Sequence, residues 1–231
     1  MARPRGARTR APEVVRRLRE LYPDVRCALN HANAFELLTA TILSAQTTDE
    51  RVNMVTPALF ATYPSPADLA HADPAEVETI IQSTGFFRSK TKSLIGMAAA
   101  VEERYGGEVP SGLEDLVTLP GVGRKTGNVV RSVWFGLPGL PVDTHVTRLS
   151  RRLKLTNETD PMKIEMDLDG IIDPEERGNL SLRLIEHGRK VCDARRPRCD
   201  ACVLADICPS AGKITPIRGT RPRVPKRAAP R

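Results

Sequence analysis

Apolar residues recur along this chain at intervals of three and four. Val14, Val15, Leu18 and Leu21 follow Pro12 at that spacing, Phe35, Leu37, Leu38, Ile42 and Leu43 form a second run, and Leu94, Ile95, Ala98 and Val101 a third. This is the period of helices that bury one face; the sustained two-residue alternation of a strand is absent. Breakers separate the runs at 63-YPSP-66, Asp73-Pro74, 106-GGEVPSG-112, 136-GLPGLP-141 and Asp173-Pro174. Thr47 with Glu50, and Ser111 with Glu114, have the spacing of a capping box, in which each side chain satisfies the other residue's orphan amide. The pattern predicts an all-α protein of roughly ten short helices.

Composition adds little to this, but charge adds more. With 231 residues, 40% hydrophobic and 27% charged, the chain has ordinary globular composition and enough length for one or two cores. No apolar run reaches the ~18 to 20 residues of a membrane span, and the arginine-rich start lacks a signal-type apolar stretch. The expectation is an intracellular, cytoplasmic protein, nucleoid-associated if bacterial. The net charge of +7 is concentrated at the ends: residues 1–12 and 212–231 carry eleven cations and no acid, leaving −4 for the segment between them. Both ends are rich in Pro, Gly and Arg and read as basic disordered extensions that attract polyanions. A folded body that is slightly acidic must place its cations locally if it binds DNA.

One such place is 119-LPGVGRKTGNVV-130. A short helix beginning near Ser111 turns its apolar residues Leu113, Leu116, Val117 and Leu119 inward, the Gly121-x-Gly123 turn reverses the chain, and a second helix starts at Lys125. Glycines in such a hairpin permit positive φ and leave amides bare, so phosphate can approach the backbone and the second helix's N-terminus. A hairpin of this kind grips phosphate without reading bases; a plain αα-turn with glycines for tightness is the alternative. Lys125 in the first turn, beside Arg124, faces the positive end of the helix dipole, which disfavours an ammonium by ~1 kcal/mol or less. That placement suits an amine meant to attack carbon, or a point charge that simply pairs with phosphate.

Further along, Asp143 precedes the amphipathic run Val146, Leu149, Leu153 and reads as its N-cap. Brought near Lys125, its carboxylate could also accept a proton or stabilise positive charge on a sugar carbon that is losing its base. The C-terminal cysteines Cys192, Cys199, Cys202 and Cys208 follow a C-x6-C-x2-C-x5-C spacing. Four thiolates so placed suit tetrahedral zinc or a [4Fe-4S] cluster, and spacing permits both. The loop between the first two, 193-DARRPR-198, offers Arg195, Arg196 and Arg198 to phosphate. Cys27 reads as an ordinary buried thiol.

The hairpin LPGVGRKT, the later VDTHV and the cysteine spacing, in this order, resemble the endonuclease III family of DNA glycosylases from about residue 13 to 210. The resemblance implies a helix-hairpin-helix glycosylase fold with DNA bound in the cleft between two domains. One is a six-helix barrel, residues 27–137, with the hairpin at 112–135; the other is a helical iron-sulfur domain of residues 13–26 plus 138–211. It assigns the four cysteines to [4Fe-4S], the nucleophile to Lys125 and the essential aspartate to Asp143. The implied partner is double-stranded DNA containing damaged pyrimidines or abasic sites, met by a monomer. The implied reaction removes an oxidised pyrimidine through a lysine Schiff base and nicks the strand by β-elimination. Gly121, Gly123, Arg124 and the arginines at 195, 196 and 198 fall at the family's phosphate contacts, and His145 where the family has a histidine beside the aspartate. Gln46 falls at the position that fills the vacated space and Phe86 at the wedge beside the estranged base, where the family often has a smaller aliphatic. Alternative readings are a monofunctional glycosylase and a non-catalytic DNA-binding protein of the same fold.

Overall fold

A computed structural model describes residues 3–213. Its α-helices are α1 (Ala7–Leu21), α2 (Ala34–Leu43), α3 (Asp49–Thr62), α4 (Pro66–Ala70), α5 (Pro74–Ile81), α6 (Phe87–Tyr105), α7 (Leu113–Leu116), α8 (Arg124–Val133), α9 (Thr144–Arg152), α10 (Pro161–Asp169) and α11 (Arg177–Lys190). Three 3₁₀ turns, Gln82–Thr84, Pro174–Glu176 and Cys199–Ala201, complete the regular structure, and no strand occurs among the described residues. No helix there is long and apolar enough to cross a membrane.

Eight of the ten residues of α2, Phe35 and Leu37 to Leu43, are buried. A helix that is apolar all round belongs in the middle of a core, and α2 packs against α3, α6 and α8. Its start is tied by Asn33, whose Oδ1 accepts from the Glu36 amide at 2.8 Å, while Glu36 Oε2 accepts from the Ala32 amide at 2.6 Å. Around it forms one apolar cluster, from Leu29 to Val130. A second cluster joins Ala11 to Leu18 of α1 with Leu140 to Leu204. The chain crosses between them first between Tyr22 and Cys27 and again at the Gly-Pro-rich 136–141 stretch, and α8 meets α11 across the seam.

Four expectations need correction. Residues 3–12 are not a disordered extension: α1 begins at Ala7, and Ala7 and Ala11 are buried on the same face as Val14 and Leu18. Pro12 therefore sits inside the helix rather than at its start. The arginines are employed structurally: Arg10 Nη1 donates to the Leu153 and Lys154 carbonyls at 3.0 and 3.1 Å beyond the end of α9, and Arg3 Nη2 donates to Asp167 O at 3.0 Å. At α3 the cap is Thr48, whose hydroxyl accepts from the Arg51 amide at 3.2 Å, because the Thr47 hydroxyl is drawn to the Thr84 carbonyl instead. Ser111 does not cap α7, whose N-cap is Gly112 without a side-chain bond, and Val117 lies beyond the helix and is exposed. A true capping box occurs at Ser65 and Asp68. Most of the basic C-terminal segment, 214–231, lies outside the described residues.

Candidate active site

The hairpin is built by α7, a tight turn and α8. Leu119 and Val122 are buried and anchor the turn from both sides. Gly121 adopts φ +76, and a Cβ there would stand 2.6 Å from Ser93 Cβ. Both facts demand glycine, and Gly121→Ala is expected to destabilise the fold by about 1–3 kcal/mol in thermal denaturation. Gly123 differs: its φ is an ordinary −90° and open space surrounds the missing Cβ. It is the N-cap of α8 with no side-chain bond, so the first amides of a ten-residue helix are left for an anion.

Lys125 occupies the first turn of α8 and is exposed. Arg124, expected beside it as a free cation, is paired instead: its Nε and Nη2 each donate at 2.9 Å to the carboxylate oxygens of Glu165, which is buried in α10. The guanidinium thus spends its two parallel bonds on joining the hairpin to the second cluster.

Asp143 is the N-cap of α9, its Oδ1 accepting from the Val146 amide at 2.8 Å. Lys125 and Asp143 line the same two adjoining cavities. One runs along α9, where Arg148, Arg151, Arg152 and Lys154 give its wall positive charge. The other opens between the two clusters and is lined by Ser44, Asp49, Ser181, Glu186 and Arg189, none of which any motif picks out. Arg189 of α11 donates to Asp49 Oδ2 at 2.8 Å, so an ion pair spans that cavity from one cluster to the other. Cys27 is half-buried at its edge, and burial pushes its thiol up.

A guanidinium can only donate, so His145 Nδ1 accepts from Arg148 Nη2 at 3.0 Å and the ring proton falls to Nε2; burial lowers the pKa of this histidine. Gln46 and Phe86 are exposed in separate loops. Only three non-glycine residues among those described have positive φ, and two of them are Gln46 at 56° and Phe86 at 49°. Backbone strain of this kind persists where surrounding structure imposes it. Phe87, by contrast, packs against the first core. Arg195, Arg196 and Arg198 are exposed. Their loop is rigid because Asp193 Oδ1 accepts from the Arg195 and Arg196 amides at 2.8 and 3.1 Å, and Arg152 holds the Asp193 and Ala194 carbonyls.

Cys192, Cys199, Cys202 and Cys208 surround a single small cavity with Leu149, Leu153, Leu204 and His187. Burial raises the thiols of Cys202 and Cys208, so their thiolates call for positive charge among them. Donors converge on the sulfurs: Arg152 Nη1 lies 3.2 Å from Cys192 Sγ, and His187 Nε2 and the Leu204 amide lie 3.3 and 3.4 Å from Cys202 Sγ. The Tyr22 hydroxyl, 3.2 Å from His187 Nδ1, orients that ring. Among the described residues no three His, Cys, Asp or Glu side chains are placed to hold a single ion. Four sulfurs standing around a cavity fit a polyatomic cluster better than one zinc, and the residues fit [4Fe-4S]. Cys202→Ala is expected to remove the broad absorbance near ~400 nm and loosen the 193–208 loop to proteolysis, with α2 to α8 still folded.

A helical fold with a glycine hairpin that leaves the first amides of α8 uncapped, a lysine and an aspartate on one cleft and four cysteines around one cavity defines the class of iron-sulfur helix-hairpin-helix DNA glycosylases. Comparison with known proteins bears on the class directly. Residues 39–174 match the model of the HhH-GPD superfamily of base excision DNA repair proteins, and residues 192–208 match the iron-sulfur binding domain of endonuclease III. The chain is 53% identical to endonuclease III of Synechocystis over 203 residues, covering 87% of this chain and 93% of the relative. It is 38% identical to endonuclease III of Escherichia coli K12 over 202 residues, 87% and 96% of the two chains. A non-covalent endonuclease III–DNA complex superposes with a TM-score of 0.84 at 40% identity, covering 89% of this chain and 97% of that one. A trapped endonuclease III–DNA covalent intermediate, an estranged-adenine complex, matches with the same values. This chain belongs to the endonuclease III family and is a base excision DNA glycosylase and lyase with a [4Fe-4S] cluster.

Proposed function

We propose that this enzyme, acting as a monomer, removes oxidised pyrimidines from double-stranded DNA and cuts the resulting abasic site, with Lys125 as nucleophile and Asp143 as its charged partner. The observation that carries the reading is that these two side chains, eighteen positions apart, line the same cavities at the seam between the two cores. The covalent intermediate trapped for the structural relative supports an enzyme nucleophile rather than water.

Lys125 Nζ attacks the sugar C1′ as the C1′–N bond to the base breaks. Asp143 has one carboxylate oxygen engaged by the Val146 amide, which fixes its direction and leaves the other for the positive charge on C1′ and for the lysine proton. Ring opening yields a Schiff base, loss of a C2′ proton expels the 3′ phosphate, and water releases the lysine. His145, neutral, presents an Nε2–H donor beside this charge. When bound, the cluster would be held by Cys192, Cys199, Cys202 and Cys208, and its iron–thiolate bonds would close the 192–208 segment on itself, outside every step above. The bare amides at Gly123, the α9 cations and Arg195, Arg196 and Arg198 hold the phosphates, while Gln46 and Phe86 fill the stack when the nucleotide leaves it.

Gly123→Ala separates this from a purely structural hairpin. Open space around Gly123 predicts a stability change within about 0.5 kcal/mol, whereas DNA affinity falls about tenfold because a methyl group intrudes on the phosphate's approach. A panel of defined lesions, with base release and nicking measured separately, tests the whole reading. Release of oxidised pyrimidines with accompanying nicks is expected. Release without any nick would make the enzyme monofunctional, and binding without release would leave only a DNA-binding protein.

A further inference from the structure

One buried cation takes no part in that chemistry. Lys90, in the first turn of α6, is 6% exposed, and its ammonium donates to Leu43 O at 2.8 Å, Thr84 O at 2.9 Å and Thr47 Oγ1 at 3.0 Å. All three of its protons are thereby used, and none of the acceptors is a carboxylate. Burial without a counter-ion pushes its pKa down. As a contribution to core stability the residue is a poor choice, since an apolar side chain of this length would fill the same space without the desolvation.

What the ammonium gains is position. Leu43 is the last residue of α2 and Thr84 the last of the 3₁₀ turn at 82–84, so Lys90 sits where two helical segments present their C-terminal carbonyls and the negative ends of their dipoles. The Thr47 hydroxyl, one of its acceptors, also donates to Thr84 O and so closes a ring of three residues. Each loop leaves from this ring. Gln46 lies three residues beyond Leu43 and Phe86 two residues beyond Thr84, and both are exposed and held at positive φ.

We infer that Lys90 is a positioning residue for the unstacking step: a single ammonium fastens the roots of the two loops, setting the spacing of Gln46 and Phe86 and holding both in their left-handed backbone. The inference rests on the assignment of Gln46 and Phe86 made above. Methionine cannot replace Lys90 because it has no donor, and arginine offers a planar fork where three oxygens converge on one point.

The holoenzyme variants Lys90→Met, Lys90→Arg, Gln46→Ala and Phe86→Ala test this on one oxidised pyrimidine placed in duplex and in single-stranded DNA. Base release is measured in single turnover and expressed as the duplex-to-single-strand ratio, because only the duplex demands unstacking. Lys90→Met and Lys90→Arg are expected to lower that ratio about 10- to 100-fold, the penalty for misplacing groups by about an ångström. Combined with Gln46→Ala and Phe86→Ala, Lys90→Met is expected to lower it by less than about twofold more, since the clamp acts through those side chains. Equal losses on both substrates, or losses that multiply in the combined variant, would mean a merely structural lysine and overturn the inference. Should Lys90→Met fail to fold, Thr47→Val deletes the hydroxyl alone; an unchanged ratio there overturns the inference equally. Failure of the underlying assignment looks different: Gln46→Ala and Phe86→Ala would then each leave the ratio where it was.

Discussion

Lys125→Gln is expected to abolish borohydride trapping and strand nicking and to slow base release by at least about 10³-fold, while binding to lesion-containing DNA persists. The loss corresponds to about 4 kcal/mol of transition-state stabilisation, within the range for removing a nucleophile. Stability should move the other way. Lys125 is exposed and stands at the positive end of α8, so removing its charge relieves an unfavourable dipole contact worth a few tenths of a kcal/mol. A variant that is dead in chemistry and no less stable in denaturation is the signature of a residue placed for reaction. Unchanged trapping would remove Lys125 from the mechanism.

Asp143→Asn should separate two duties of one side chain. The amide oxygen of asparagine can still accept from the Val146 amide, so α9 keeps its cap and the melting temperature changes little. The negative charge is lost, and with it the group that takes the lysine proton and balances the sugar cation. Base release is expected to fall about 10²- to 10⁴-fold, with trapping of a preformed abasic site reduced less. Asp143→Ala, which loses both duties, is expected to match that kinetic loss and to destabilise α9 by about 1 kcal/mol as well. Equal activity in Asp143→Asn and the parent would show that only the cap matters.

Much of this was legible along the chain because it is written locally. The helical period of Phe35 to Leu43, the glycines at 121 and 123, the cap at Asp143 and the spacing of the four cysteines are each decided within a few residues. Three of the misreadings share a cause, which is competition from partners distant in sequence. Thr47 has the spacing of an N-cap but is claimed by Thr84 and Lys90, so the cap passes to Thr48. Arg124 reads as a free cation beside Lys125 until Glu165, forty-one residues on, takes it. The arginines of the N-terminal segment suggest a disordered arm, yet Ala7 and Ala11 extend the apolar face of α1 and Arg10 binds the end of α9.

The least legible part is the cavity between the cores. Asp49 looks like a first-turn helix acid and Arg189 like a charge in a last turn, and only folding brings them to 2.8 Å across the seam. Lys90 is similar: nothing in 85-GFFRSK-90 singles out the lysine four positions after Phe86. Its burial depends on carbonyls at the ends of two other elements, which no local pattern encodes.

The identity of the nucleophile decides whether this cleft works as described. Holoenzyme incubated with duplex DNA carrying one oxidised pyrimidine, reduced with borohydride and digested to peptides, yields a single adduct whose mass locates the bond. The expected adduct is a reduced sugar on the peptide containing Lys125, formed at the rate of base release. An adduct on any other residue, or base release at full rate with no adduct at all, would contradict it.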